Sequence, residues 1–99
     1  MNADNFRIYV VPPIDFGWET LLVADKYDDT LCALLQRARA QTSCAWEGDF
    51  MQGPGKFAIP MEGSFAFGYA WKQANDGTTF VASPVQLPWM ERLDFQRIL

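Results

Sequence analysis

The clearest period-two pattern of side chains in the sequence lies in residues 64–83. In the first half of this stretch, aromatic residues occupy every second position, with alanine or glycine between them. The aromatic set is Phe65, Phe67, Tyr69 and Trp71, and the small set is Ala66, Gly68 and Ala70. Because side chains on a strand point alternately to its two faces, the pattern predicts a strand with one aromatic face and one face of small residues.

Residues 78–83 are rich in threonine, phenylalanine and valine, and they predict the returning strand of a β-hairpin. The Asn-Asp-Gly turn before them is compatible with two registers. A two-residue turn places Trp71 opposite Ala82, whereas a three-residue loop with Gly77 in a left-handed conformation places Trp71 opposite Val81. A shift of one residue changes the face on which Phe80 lies, and the sequence leaves both registers open.

Residues 28–42 follow the period of an amphipathic helix instead. Apolar side chains recur at i, i+3, i+4 and i+7, at Leu31, Leu34, Leu35 and Ala38. Asp28 precedes this stripe and can cap the helix by accepting from backbone N–H groups of the first turn. We expect the stripe to pack on the small-residue face of the hairpin, where a helix could come close to the backbone.

Further strands are predicted on both sides of this helix. Residues 6–11 are β-branched and aromatic and end at two prolines, while residues 20–24 form a short strand or an extended connection. Residues 44–51 and 56–61 alternate again, and the Gly-Pro-Gly sequence within 52–55 predicts a turn between them. Glu62 and Gly63 then lead into the hairpin, so this half of the chain predicts an antiparallel meander.

The C-terminal segment is extended by prolines up to Pro88. Residues 89–99 favour a short helix beginning with Pro88 in its first turn, although Leu93, Phe95 and Arg97 also alternate as in a strand. The last two residues are apolar, and we expect them to dock on their own domain or on a second subunit.

The fold class predicted from these elements is α+β, with one domain over residues 1–99. It consists of an antiparallel sheet of four to six strands, built from a meander and hairpins, with one amphipathic helix packed on one face and a possible short C-terminal helix. A hydrophobic content of 49% and a charged content of 20% are those of an ordinary globular domain.

Charge and composition exclude several classes of partner. The net charge is −4, and the eight basic residues are spread along the chain, so we predict no nucleic-acid binding. No apolar run approaches the roughly 20 residues of a membrane span, and the N-terminus lacks the features of a signal peptide. We therefore predict a cytoplasmic protein that does not enter the membrane, in which Cys32 and Cys44 are reduced thiols.

The chain contains no histidine, which removes the commonest general base and metal ligand. Carboxylates are the remaining groups for acid–base chemistry, for example Glu47 and Asp49, which lie two apart on a predicted strand. A solvated strand face explains this pair equally well. We predict no catalytic residues, no metal site and no cofactor, and an enzyme is the third of three functional interpretations.

The aromatic face leads to the other two interpretations, because exposed rings need a cover. The first is a small interaction module, a homodimer that self-associates through this face or through the C-terminal segment. The alternative is a small-molecule-binding module, in which rings and acidic residues accept an apolar or cationic ligand. Both draw on one set of candidate residues, namely Phe16, Trp18, Phe65, Phe67, Tyr69, Trp71, Trp89, Asp15, Asp25 and Glu62.

Overall fold

A computed structural model describes residues 5–12, 17–24, 28–42, 50–73 and 77–99. Within these ranges the chain forms one α-helix and a six-stranded antiparallel sheet with strand order β2-β3-β4-β5-β1-β6, which confirms the α+β class. The elements are β1 (Arg7–Val11), β2 (Leu22–Val23), α1 (Asp29–Thr42), β3 (Phe50–Met61), β4 (Ser64–Gln73), β5 (Thr79–Ser83) and β6 (Gln96–Arg97), with short 3₁₀ turns at Trp18–Thr20 and Pro88–Arg92. No helix in the described ranges is long and apolar enough to cross a bilayer.

The helix begins where the sequence predicts. The backbone N–H of Leu31 donates to Asp28 Oδ1 at 3.1 Å, which is the predicted N-cap. The predicted apolar stripe is buried throughout, at Leu31, Leu34, Leu35 and Ala38. The stripe is therefore the core-facing side of α1.

The face of the sheet that α1 covers differs from the expected one. The leucine stripe shares one apolar cluster with Tyr69, Trp71 and Phe80, so α1 packs on the aromatic face and not on the small-residue face. The expected arrangement depended on the close approach of a helix to the backbone that alanine and glycine allow. The larger effect is burial of the rings, because each aromatic side chain removes roughly 150–250 Å² from water when it is covered.

The small-residue face is covered by other parts of the same chain. The 3₁₀ turn Pro88–Arg92 buries Met90 in a second apolar cluster that also includes Leu87 and Ala70. Close approach does occur on this face, since a Cβ added at Gly68 would lie 2.5 Å from Phe57 Cζ. Both faces of the central sheet are thus packed, with α1 on one side and the C-terminal segment on the other.

The β4–β5 register is neither of the two considered. Trp71 lies opposite Phe80, and the N–H of Gln73 donates to the carbonyl of Thr78 at 3.0 Å. The pairing therefore ends at Gln73 and Thr78 and leaves the four residues 74–77 between the strands. Phe80 consequently lies on the same face as Trp71, and the two rings stack at 5.4 Å with an interplanar angle of 15°.

The turn predicted at residues 52–55 is absent, because β3 runs through it as one twelve-residue strand. The register with β4 shifts on either side of Gln52, so the strand continues through the glycines and the proline with irregular pairing. Gly53 has a φ of +79°, and a Cβ there would lie 2.7 Å from the carbonyl oxygen of Ala70. The Gly-Pro signal has produced a distorted strand instead of a chain reversal.

The C-terminal segment combines both predicted possibilities. Pro88 opens a five-residue 3₁₀ turn, and the chain then forms the two-residue strand β6 beside β1. Its end docks on the same domain, because Ile98 N–H donates to the carbonyl of Ile8 at 2.8 Å and Ile8 N–H donates to the carbonyl of Leu99 at 3.2 Å.

The outer edge of β3 is open over its second half. Strand β2 pairs only with Gly55 and Lys56, and the described residues give β3 no outer neighbour beyond Lys56. A two-residue connection closes the β3–β4 hairpin, so its first pair, Met61 and Ser64, is a hydrogen-bonded pair. Because hydrogen-bonded and non-hydrogen-bonded pairs alternate along antiparallel strands, the next pair, Pro60 and Phe65, is non-hydrogen-bonded. The backbone nitrogen of Pro60 therefore points outward, where proline carries no hydrogen.

Candidate functional site

A small cavity lies beside the half of β4 that α1 leaves uncovered. Its volume is about 210 Å³, and Phe65 at its rim is 62% exposed. We call it the Asp28 pocket, and it is lined by Phe6, Asp28, Thr30, Phe65, Ala66, Phe67 and Tyr69. Four of these seven residues carry aromatic rings, and Asp28 is the one charged residue among them.

Three elements bring the lining together. Strand β4 supplies the phenylalanines and Tyr69, while the start of α1 supplies Asp28 and Thr30. Phe6 directly precedes β1 and packs against Tyr69, with ring centroids 6.1 Å apart and an interplanar angle of 43°. The pocket therefore forms at the N-terminal end of α1, where the helix begins to cover the sheet.

A hydrogen bond joins the helix to the strand at the floor of the pocket. The hydroxyl of Tyr69 donates to Asp28 Oδ2 at 2.9 Å, while Oδ1 of the same carboxylate accepts from the N–H of Leu31. Burial raises the pKa of the Tyr69 hydroxyl, and the hydrogen bond to Asp28 and the charge of Asp28 raise it further. Tyr69 is therefore a neutral donor, and the carboxylate supplies the charge in the pocket.

The pocket borders a ring that already holds a cation. The Nζ of Lys56 lies 4.5 Å from the centroid of Phe67. The Phe65 ring contacts that of Phe67 edge to face, at 5.3 Å and 88°. Lys56 is not among the lining residues, so this cation–π contact lies beside the pocket on a ring that the pocket shares.

The predicted site residues divide into separate groups. The structure brings Phe65, Phe67 and Tyr69 together in the Asp28 pocket. Trp71 belongs to the core with no exposed surface. The predicted residues Asp15, Phe16 and Asp25 lie outside the described residues.

The remaining three candidates lie away from the Asp28 pocket. Glu62 is exposed in the turn between β3 and β4, and Trp18 packs with the apolar cluster on the opposite face. Trp89 is partly exposed beside a second cavity of about 530 Å³, which we call the apolar groove. Its lining is Phe57, Ala58, Ile59, Pro60, Val85, Gln86, Leu87, Pro88 and Trp89.

The sequence analysis did not assign four of the pocket residues to a site, namely Phe6, Asp28, Thr30 and Ala66. A sequence signal for Phe6 exists. Phe6 lies two residues before Ile8 in the alternating pattern of this strand, so its side chain points to the face of the sheet that carries Tyr69. Asp28 was assigned only its capping role. Its second partner, Tyr69, is 41 residues away, and local patterns carry no signal for such a contact.

No protein-family model, curated protein or solved structure matches this chain. In the described part of the chain, no group of three or more cysteine, aspartate or glutamate side chains is placed to hold a metal ion. The Asp28 pocket and the apolar groove are two cavities within the described part of the chain.

Proposed function

We propose that this protein is a small-molecule-binding module whose Asp28 pocket takes a small organic cation. The observation that carries the proposal is a carboxylate set into a wall made mostly of aromatic rings. This is the alternative function predicted from the sequence, but its acidic group is Asp28 and not one of the predicted Asp15, Asp25 and Glu62. The cytoplasmic location predicted from the sequence stays part of the proposal.

Charge and burial favour a cation over an anion at this position. The negative π faces of the rings attract positive charge by roughly 0.5–2 kcal/mol for each contact, depending on desolvation. The Asp28 carboxylate lies in this wall and accepts from the N–H of Leu31 and the hydroxyl of Tyr69. An anion would meet repulsion from both the carboxylate and the ring faces.

The volume of the pocket limits the ligand to a small one. A cavity of about 210 Å³ is below the roughly 300–1,000 Å³ of pockets for drug-sized molecules. A water molecule occupies about 30 Å³ of the liquid, so the pocket has room for only a handful of heavy atoms. We expect weak binding of small fragments, with the rest of a larger ligand extending past Phe65 into solvent.

A matched set of three probes tests the charge preference. We expect benzylammonium to raise the melting temperature, and benzyl alcohol and benzoate to leave it nearly unchanged. At ten times its dissociation constant a ligand stabilises the folded state by about 1.4 kcal/mol. In a domain near this size that corresponds to roughly 6–11 °C, which differential scanning fluorimetry resolves.

Asp28→Asn is the control variant, because asparagine caps helices as well as aspartate and can still accept from Tyr69. We expect it to fold normally and to lose at least about tenfold in affinity for benzylammonium by calorimetric titration. The proposal is wrong if none of the three probes shifts the melting temperature, or if benzoate binds best.

A second candidate, self-association, is favoured by the apolar character of one sheet edge. Large hydrophobic side chains are exposed on or beside β2 and the open half of β3, at Leu22, Val23, Met61, Phe65 and Trp89. Exposed apolar side chains along an unpaired strand edge can mark an interaction site. A second copy is the proposed partner, since a twofold dimer would cover the same edge on both chains.

Val23→Glu tests this dimer, because Val23 is 91% exposed and its replacement should leave the fold intact. We expect the native chain to have a dimeric mass by light scattering at micromolar concentration and the variant to be monomeric. Gln36→Glu, on the exposed side of α1, is the matched control and should remain dimeric. A monomeric mass of the native chain at high concentration would exclude this candidate.

A further inference from the structure

We infer that the Asp28 pocket selects quaternary ammonium groups over primary ones, an inference that rests on the proposed function. The observation behind it is the pairing of four ring-bearing wall residues with a carboxylate whose two oxygens are already hydrogen-bonded. A methylated ammonium needs contact and diffuse charge, whereas a primary ammonium needs hydrogen-bond acceptors. The pocket offers more aromatic contact surface than hydrogen-bond acceptors.

The rings supply the contact surface. Phe6 and Tyr69 are buried side by side, and Phe65 and Phe67 meet edge to face at the rim. Rings at different angles around a small cavity are the arrangement that recognises quaternary ammonium ligands, because the methyl groups spread the charge over several π faces.

The hydrogen-bonding groups of the wall are largely engaged. Asp28 Oδ1 accepts from Leu31, and Asp28 Oδ2 accepts from the hydroxyl of Tyr69 at 2.9 Å. A primary ammonium carries three N–H donors and loses strong hydration when it enters the cavity. The two oxygens of Asp28 each keep one further acceptor site, which is fewer than these three donors, whereas a quaternary ammonium has no N–H donor to satisfy.

Three probes built on the same two-carbon alcohol chain separate the contributions of methylation and charge. Choline carries a trimethylammonium group, and ethanolammonium carries the same chain with a primary ammonium. The neutral isostere 3,3-dimethylbutan-1-ol has the shape of choline without its charge. Dissociation constants are measured by calorimetric or NMR titration of the full chain at pH 7.

We expect choline to bind at least about tenfold more tightly than either of the other two probes. If ethanolammonium binds as tightly as choline and both exceed the neutral isostere, the preference for quaternary ammonium is wrong while the cation site stands. If the isostere binds as tightly as choline, or if no probe binds, the proposed function itself is wrong.

Phe65→Leu tests the role of the rings directly. Phe65 is mostly exposed, so leucine should fold normally and keep the apolar bulk while removing one π face. We expect choline affinity to fall several-fold and ethanolammonium affinity to change by less than about twofold. The N-methyl proton resonance of choline should also move upfield on binding, because ring currents shield it, and this shift should be smaller with the variant. Unchanged choline affinity and an unchanged shift would overturn the inference.

Discussion

The aromatic side chains of β4 fall into two halves with different environments. Tyr69 and Trp71, the inner half, lie under α1 within the main core. Phe65 and Phe67, the outer half, lie beyond the start of the helix, and Phe65 is mostly exposed. One uninterrupted alternation of aromatic residues thus produces both core and candidate binding surface. The position of the helix determines which rings are buried in the core and which remain at the surface.

The lengths of the two elements account for the division. Helix α1 has 14 residues and is about 21 Å long, whereas the ten residues of β4 span about 33 Å. A helix of this length cannot cover the whole strand. The part of β4 that the helix covers ends at Tyr69, whose hydroxyl donates to the carboxylate of Asp28 at the start of α1.

The largest expected effect is at the inner end of this row. Trp71→Ala removes a ring with no exposed surface that stacks on Phe80, and it should lower the free energy of unfolding by about 3–5 kcal/mol. Urea unfolding followed by circular dichroism measures it. A loss below about 1 kcal/mol would contradict the division into inner and outer halves.

Leu34→Ala tests the helix side of the same contact. Leu34 is fully buried in the cluster that contains Tyr69 and Trp71, so the substitution should cost about 2–5 kcal/mol through lost burial and a residual cavity. Gln36→Ala on the exposed side of α1 is the control and should change stability by less than about 0.5 kcal/mol. Equal effects at the two positions would mean that α1 is packed differently.

Tyr69→Phe acts at the boundary between the halves. It keeps the ring and removes the hydrogen bond to Asp28, and we expect it to cost about 1–2 kcal/mol at pH 7. Urea unfolding at fixed pH gives this value. A variant as stable as the native chain would show that the bond contributes nothing to folding.

The same pair makes stability depend on alkaline pH. The pKa of Tyr69 is raised in the folded state above the value near 10 of an unfolded tyrosine, so the folded state binds more protons above about pH 10. The unfolding free energy should therefore fall as pH rises past 10. We expect the stability difference between the native chain and Tyr69→Phe to shrink from pH 9 to pH 11, and a constant difference would contradict the raised pKa.

The smallest effect on stability is expected at the outer end. Phe65→Ala should change the unfolding free energy by no more than about 0.5 kcal/mol, because the ring is 62% exposed. It should nevertheless weaken binding of benzylammonium by calorimetric titration. If Phe65→Ala and Trp71→Ala were equally destabilising, the outer half would belong to the core.

Local patterns predicted most of the secondary structure. The stripe from Leu31 to Ala38 and the cap at Asp28 depend on neighbours three or four residues apart, and both are confirmed. The strands at residues 6–11 and 64–73 were equally clear, since alternation is a property of adjacent residues.

Apart from the register of the β4–β5 hairpin, the errors concern pairing and packing between separate elements of the chain. The Gly-Pro-Gly signal is compatible with a turn or with a bulged strand, and pairing of β3 with β4 decided for the strand. The choice of face for α1 depended on what else could cover each side, namely the C-terminal segment around Met90. The Asp28 pocket depends on such distant relations, so only three of its four β4 residues, Phe65, Phe67 and Tyr69, were predicted from the sequence.

Pro60 bears on the tendency of many copies of the chain to aggregate through the open edge of β3. An open, apolar strand edge is a template on which other chains can add strands and begin aggregation. Pro60 removes the outward N–H from the middle of that edge, so an incoming strand finds no donor there. Replacing Pro60 with valine would supply the missing donor beside Ala58 and make the edge competent to grow ordered aggregates, although the isolated fold would hardly change.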